Sequence, residues 1–279
     1  MRGSREQIIT VGGIPHYCEW VTKDHNQVNK PVMVFVHGWG GSLRYWRSTA
    51  QALSDRFDCL LYDLPGFGKS PTASNFNYDL ENYAEDLKEL LDNLNLPRVY
   101  LNSHSMGASI AAIFASNYPE RVEKLILTCN GIFTYNKLAF ETFYLFGGYV
   151  VKFRYHWFKQ IPGLDRLFMA RFLHRTIPKS DRLAFLEDFL IANQQAALGT
   201  IYTSVSKKAV ETMPQKFAHL SIPTLLISGE KDIIIPANLG RQAADLNPII
   251  TYVEIPQTAH FPMLEDSVSY LQTVREFLE

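Results

Sequence analysis

The sequence predicts an α/β protein: a doubly wound, mostly parallel sheet carrying an inserted helical cap. Two observations predict the sheet, and a third predicts the cap. Apolar runs of strand length alternate with helical patterns in the order β-α-β-α-β-α-β up to Gly131, which calls for parallel strands joined by helical crossovers. Several of these runs are continuously apolar, as in Val32-Met33-Val34-Phe35-Val36, the pattern of strands covered on both faces. At Gly131 the alternation gives way to a long helical, aromatic stretch, and strand patterning resumes at Pro223. The expected division is therefore a core of residues 1–131 and 201–279 with a cap of residues 132–200.

A chain of 279 residues suffices for one large domain with such an insertion. Lys and Arg (27) balance Asp and Glu (28) to a net charge of −1, so no global field draws the chain to nucleic acid. Cys18, Cys59 and Cys129 are odd in number, lie in apolar strand-like runs and form no C-x-x-C pair, which suits buried thiols in a reducing, cytoplasmic setting. Polar residues interrupt the N-terminus before any apolar run, so no signal peptide is expected. The most hydrophobic run, Thr142 to Val151, falls short of the ~20 residues that cross a bilayer.

Taken in order, Ile8 to Val11 and His16 to Trp20 flank Gly12-Gly13 as a hairpin at the antiparallel edge of the sheet. A polar loop, Lys23 to Lys30, leads into the strand Val32 to Val36. The glycine-rich loop His37-Gly38-Trp39-Gly40-Gly41-Ser42 follows at that strand's carboxyl end, where ligands approach the backbone of open α/β sheets. A helix (Tyr45 to Leu53) and a strand (Cys59 to Tyr62) come next, and Asp63 to Ser70 reads as turn chemistry. Leu80, Tyr83, Ala84, Leu87, Leu90, Leu91 and Leu94 mark one face of an amphipathic helix. Val99 to Leu101 then begins a strand that stops at polar residues, with a small-residue helix directly after Gly107. Leu125 to Cys129 is the next strand. After the insertion come a strand ending at Gly229, a helix (Ala237 to Leu246), a last strand (Thr251 to Ile255) and a terminal helix with apolar positions Val268, Leu271, Val274, Phe277 and Leu278.

Within the insertion, aromatic side chains recur from Phe133 and Tyr135 through Phe143, Phe146, Tyr149, Phe153, Tyr155 and Trp157 to Phe189. Nine Lys or Arg, starting with Lys137, stand against five acids. Most of these aromatics are expected to pack as the cap's own core. The surplus suits an apolar or amphiphilic substrate, or transient contact with an anionic membrane surface, although no continuous basic amphipathic face is apparent.

Ser105 sits on the tight turn between the Val99 strand and its helix, where a hydroxyl is pushed out of the sheet above a helix N-terminus. Asp232 and His260 fall at the carboxyl ends of two other predicted strands. A serine becomes a nucleophile when an imidazole takes its proton and a carboxylate holds that imidazole in one tautomer, so these three residues form a candidate acyl-transfer triad. Gly38 and His104 are candidate substrate contacts, while His37 shapes its loop. No ligand spacing suggests a metal, and no cofactor is expected.

These motifs resemble the α/β-hydrolase superfamily over essentially the whole chain. H-G-W-G at His37 to Gly40 is similar to its oxyanion loop and S-H-S-M-G at Ser103 to Gly107 to its nucleophile elbow. G-E-K-D at Gly229 to Asp232 resembles its acid turn, and A-H-F-P at Ala259 to Pro262 its histidine loop. D-L-P-G-F-G-K-S at Asp63 to Ser70 matches a further segment of many members. The resemblance implies an oxyanion hole from the backbone amides of Trp39 and Met106, and a cofactor-independent esterase or lipase-like enzyme acting on a small-molecule ester. Thioesterase and C–C bond hydrolase activities occur on the same elbow, and some relatives serve as small-ligand receptors. The elbow departs from the family pattern in one place: Ser103 stands where glycine is usual, which adds bulk there and a second candidate hydroxyl.

Overall fold

The computed structural model describes residues 4–23, 30–73, 76–134, 137–204 and 206–279. Most of the polar loop expected at 23–30 lies outside them, as do Tyr135 and the side chains of Lys137, Phe143 and Phe146. Strands β1 (Ser4–Val11) and β2 (Ile14–Val21) form the predicted hairpin, closed by Gly12 and Gly13 at positive φ. The chain continues through β3 (Val32–Val36), a 3-10 turn (Leu43–Trp46), α1 (Arg47–Leu53), β4 (Asp58–Tyr62) and α2 (Leu80–Asn93). Then follow β5 (Val99–His104), α3 (Met106–Asn117) and β6 (Val122–Thr128). The helical insertion comprises α4 (Lys137–Lys152), α5 (Leu164–Met169), α6 (Lys179–Ile191) and α7 (Gln194–Ser204). The chain closes with α8 (Lys207–Ala218), β7 (Thr224–Gly229), α9 (Ala237–Ala244), β8 (Ile250–Ile255), α10 (Pro262–Glu265) and α11 (Ser267–Leu278).

The eight strands form one sheet in the order β1-β2-β4-β3-β5-β6-β7-β8, antiparallel at the β1 and β2 edge and parallel from β4 onward. Successive side chains along each strand feed opposite faces. Val34, Val36, Leu60 and Tyr62 join a core with α2, α3 and α8, whereas Met33, Phe35, Cys59 and Leu61 join another with α1 and α11. Two buried faces explain the uninterrupted apolar runs. The chain order reverses between β3 and β5, so the loops leaving those two strands open a crevice at their carboxyl ends.

On either side of Ser105, two boundaries differ from expectation. Strand β5 runs to His104 rather than stopping at Leu101 or Asn102, because its polar residues are buried with partners: Tyr270 donates to Asn102 at 2.9 Å and the Ser103 hydroxyl to the Ile126 carbonyl at 2.8 Å. Helix α3 begins at Met106, so Gly107 lies inside its first turn. That glycine is required by close approach: a Cβ there would sit 2.3 Å from the His37 carbonyl oxygen and 2.7 Å from that of Val36.

The expected end of the insertion at residue 200 falls inside α7, whose Ala196 already packs into the same core as Met213 and Phe217 of α8. All three cysteines are buried and free. Among the described residues no helix is long and apolar enough to cross a membrane.

Candidate active site

Ser105 is held at φ 53°, ψ −121°, a region that non-glycine residues rarely occupy. The strain is over-determined: the Ser105 amide donates to the Thr128 carbonyl at 2.9 Å, and its own carbonyl accepts from the Asn130 side chain at 2.9 Å and from the amides of Ala108 and Ser109. The half-buried hydroxyl is thereby aimed into the crevice.

Asp232 follows β7 and His260 follows β8. Oδ1 of Asp232 accepts the amides of Ile234 at 2.8 Å and Ile235 at 3.1 Å, which orients the carboxylate. Oδ2 lies 2.7 Å from His260 Nδ1, and His260 Nε2 lies 3.0 Å from Ser105 Oγ. Polarity follows from the partners: facing a carboxylate, Nδ1 carries the proton, so Nε2 is left to accept from the serine. Both Asp232 and His260 are buried. The structure thus brings the three predicted residues into one hydrogen-bonded line.

Gly38 packs against this line, with an ideal Cβ only 3.1 Å from that of Ser105. Trp39 is half-buried, and its indole donates to the Ala197 carbonyl of α7 at 3.0 Å. Met106 occupies the first position of α3, where amides have no intrahelical acceptor. Among the described residues, neither the Trp39 nor the Met106 amide has a protein acceptor.

His104 departs from its expected role as a substrate contact. Its buried ring is spent on protein partners: Nε2 donates to the His260 carbonyl at 2.7 Å, and Nδ1 accepts from the Tyr45 hydroxyl at 3.0 Å. The Tyr45 hydroxyl in turn accepts from the Gly38 amide. The result is a one-way chain from the glycine-rich loop through the elbow to the histidine loop. Burial, with His260 adding to it, pushes the His104 imidazole well below its usual range and keeps it neutral.

Burial likewise lowers the His37 imidazole to about 4. Its Nε2 accepts the Leu64 amide at 2.9 Å, and its Nδ1 donates to the Gly38 carbonyl at 2.8 Å, so it is a neutral loop brace. Since the native value lies below the unfolded one, the stability that His37 confers is complete above about pH 6.5 and is lost as the pH falls toward 4. The His37→Asn variant, measured by urea unfolding across that window, is expected to show a stability-versus-pH slope shallower by about 1.4 kcal/mol per pH unit. An unchanged slope would show that the native imidazole is free to charge.

Spacing alone did not reveal several supporting residues. Glu265 joins two loops: one carboxylate oxygen accepts the amides of Ala259 and Phe261, the other those of His174 and Arg175. The His260 amide donates to the carbonyl of Phe172 in the insertion at 2.9 Å. On the opposite side, Asp188 of α6 pairs with Arg44 and accepts from Ser42 at 2.6 Å. The aromatic rings of Phe172, Phe185 and Phe189 lie over this region. Phe172 is 6.1 Å from the His260 ring, and Phe189 is 5.6 Å from Trp39.

One grouping of metal-type side chains occurs among the described residues, His104, Cys129 and His260, with ligand atoms within 4.8 Å of one another. Both nitrogens of each imidazole are committed to the hydrogen bonds above, and burial holds the Cys129 thiol protonated, so the donor set does not suit an ion.

Fold and site together define a hydrolase of the α/β type. The chain belongs to the α/β hydrolase fold family, whose description matches residues 31–267. It is 25% identical over 283 residues to the uncharacterized hydrolase YugF of Bacillus subtilis, covering 97% of this chain and 96% of that protein. A pimeloyl-[acyl-carrier protein] methyl ester esterase of Aeromonas hydrophila is 24% identical over 252 residues, covering 89% of this chain and 95% of its own. Among solved structures, an esterase from Exiguobacterium antarcticum superposes with a TM-score of 0.82 at 19% identity, covering 98% of this chain and 99% of that one.

Proposed function

We propose that the chain is a serine hydrolase that cleaves carboxylic esters of apolar or amphiphilic substrates through an acyl-serine intermediate. The continuous line Ser105–His260–Asp232 carries this reading. The serine proton passes to His260 Nε2 as Oγ attacks the ester carbonyl, and Asp232 stabilises the imidazolium that results. The amides of Trp39 and Met106 receive the developing oxyanion, each such donor contributing ~2.7 to 4 kcal/mol to the barrier reduction. His260 then protonates the departing alkoxide, and water activated by the same imidazole releases the acid. Phe172, Phe185 and Phe189 supply an apolar wall for the acyl part. Three buried thiols outside any disulfide suit a cytoplasmic site of action.

An acyl-chain series of p-nitrophenyl esters and matching thioesters tests the reading. Sustained turnover with an optimum chain length on the esters supports it. A chain that hydrolyses none of them, yet melts at higher temperature with them bound, would be a receptor and the proposal would fail.

A further inference from the structure

The outer face of the insertion between Tyr149 and Arg171 has a composition that the site does not use. Tyr149 (53% exposed), Phe153, Tyr155, Trp157 (56%), Ile161 and Leu167 (73%) stand in solvent. Tyr149 stacks on Phe153 with ring centroids 6.1 Å apart, and Tyr155 on Trp157 at 6.2 Å. Lys152, Lys159, Arg166 and Arg171 are exposed among them. The one acid of this stretch, Asp165, is buried and paired with Arg182 at 2.8 Å, so it cancels none of the outward charge. Glu187 faces this side from α6, where Arg44 at 3.1 Å and Lys159 at 3.7 Å neutralise it.

Exposed aromatics this dense are uncommon on a surface that meets only water. Tyrosine and tryptophan favour an interface with one apolar and one wet side, and Lys and Arg can lay their stems along apolar surface while keeping the charge in the headgroup layer. We propose that this face seats the protein on a bilayer surface rich in anionic headgroups. The charge selects this occupant: a second copy docking the same face about a two-fold axis would set positive side chains against positive side chains. The residues of this face come from the end of α4, from the 3-10 turn His156–Gln160 and from α5, which packs on that turn, so no single helix carries them. Behind it, Phe158 contacts Trp157 at 4.8 Å and packs on the cluster around Phe189 that also meets Trp39. Seating there would turn an apolar layer leading to the crevice toward the lipid. The binding itself does not depend on the ester reading.

Sedimentation of the full chain with phosphatidylcholine vesicles, with and without phosphatidylglycerol, tests the proposal. Binding is expected only with phosphatidylglycerol present and is expected to weaken with salt. Each basic side chain near such a surface strengthens binding roughly fivefold, so Lys152→Gln with Arg166→Gln should weaken it ~25-fold. Trp157→Ala should weaken it further at an unchanged melting temperature. Equal binding to both vesicles, no binding to either, or self-association that Trp157→Ala abolishes would each overturn the proposal.

Discussion

Replacing Ser105 by alanine is expected to lower ester turnover by about 10⁴-fold or more while leaving the melting temperature close to that of the parent. Oγ is the atom 3.0 Å from His260 Nε2, and the Ser105 backbone is held by hydrogen bonds that alanine keeps. Ser103→Ala is the matched control. The Ser103 hydroxyl is buried and donates to the Ile126 carbonyl, away from His260, so that variant should keep most of its activity. Steady-state rates on one p-nitrophenyl ester distinguish the two serines. Loss in the Ser103 variant alone would move the nucleophile and sink the triad.

The second large effect is on stability. Gly107→Ala would ordinarily gain about 1 kcal/mol from helix propensity. Here the added carbon meets two carbonyl oxygens at 2.3 and 2.7 Å, both on backbone at the end of β3. Neither can move without shifting the His37 loop, so the expected result is a loss of about 3 kcal/mol or more in urea unfolding. A more stable variant would mean that helix and strand do not cross this closely.

The sheet is readable because burial on both faces leaves an uninterrupted apolar signature, and the Ser105–His260–Asp232 line because its members follow three such runs. Strand β5 outruns its apolar signature because Asn102, Ser103 and His104 are polar, and polarity in a strand signals an end unless a distant partner satisfies it. Those partners are invisible to spacing: Tyr45 meets His104 across 59 positions and Tyr270 meets Asn102 across 168. The same holds for His104 itself, which is adjacent to Ser105 in sequence yet spent on Tyr45 and the His260 carbonyl. Only the folded chain reveals that Gly38, His104 and His260 share one hydrogen-bonded path. The basic and aromatic outer face escaped helical periodicity for a related reason, since three short elements contribute to it.

Glu265 bears on modularity. Residues 132–200 look like an exchangeable part, and grafting a foreign insertion onto this sheet would be a natural way to change substrate range. The graft would remove the amides of His174 and Arg175 and the carbonyl of Phe172. One oxygen of Glu265 would then lose both of its donors, and the His260 amide its acceptor. The sequence of the insertion and the placement of His260 are therefore not independent design variables in this chain. An exchange that preserves that placement has to carry the 172–175 segment with the recipient rather than with the donor.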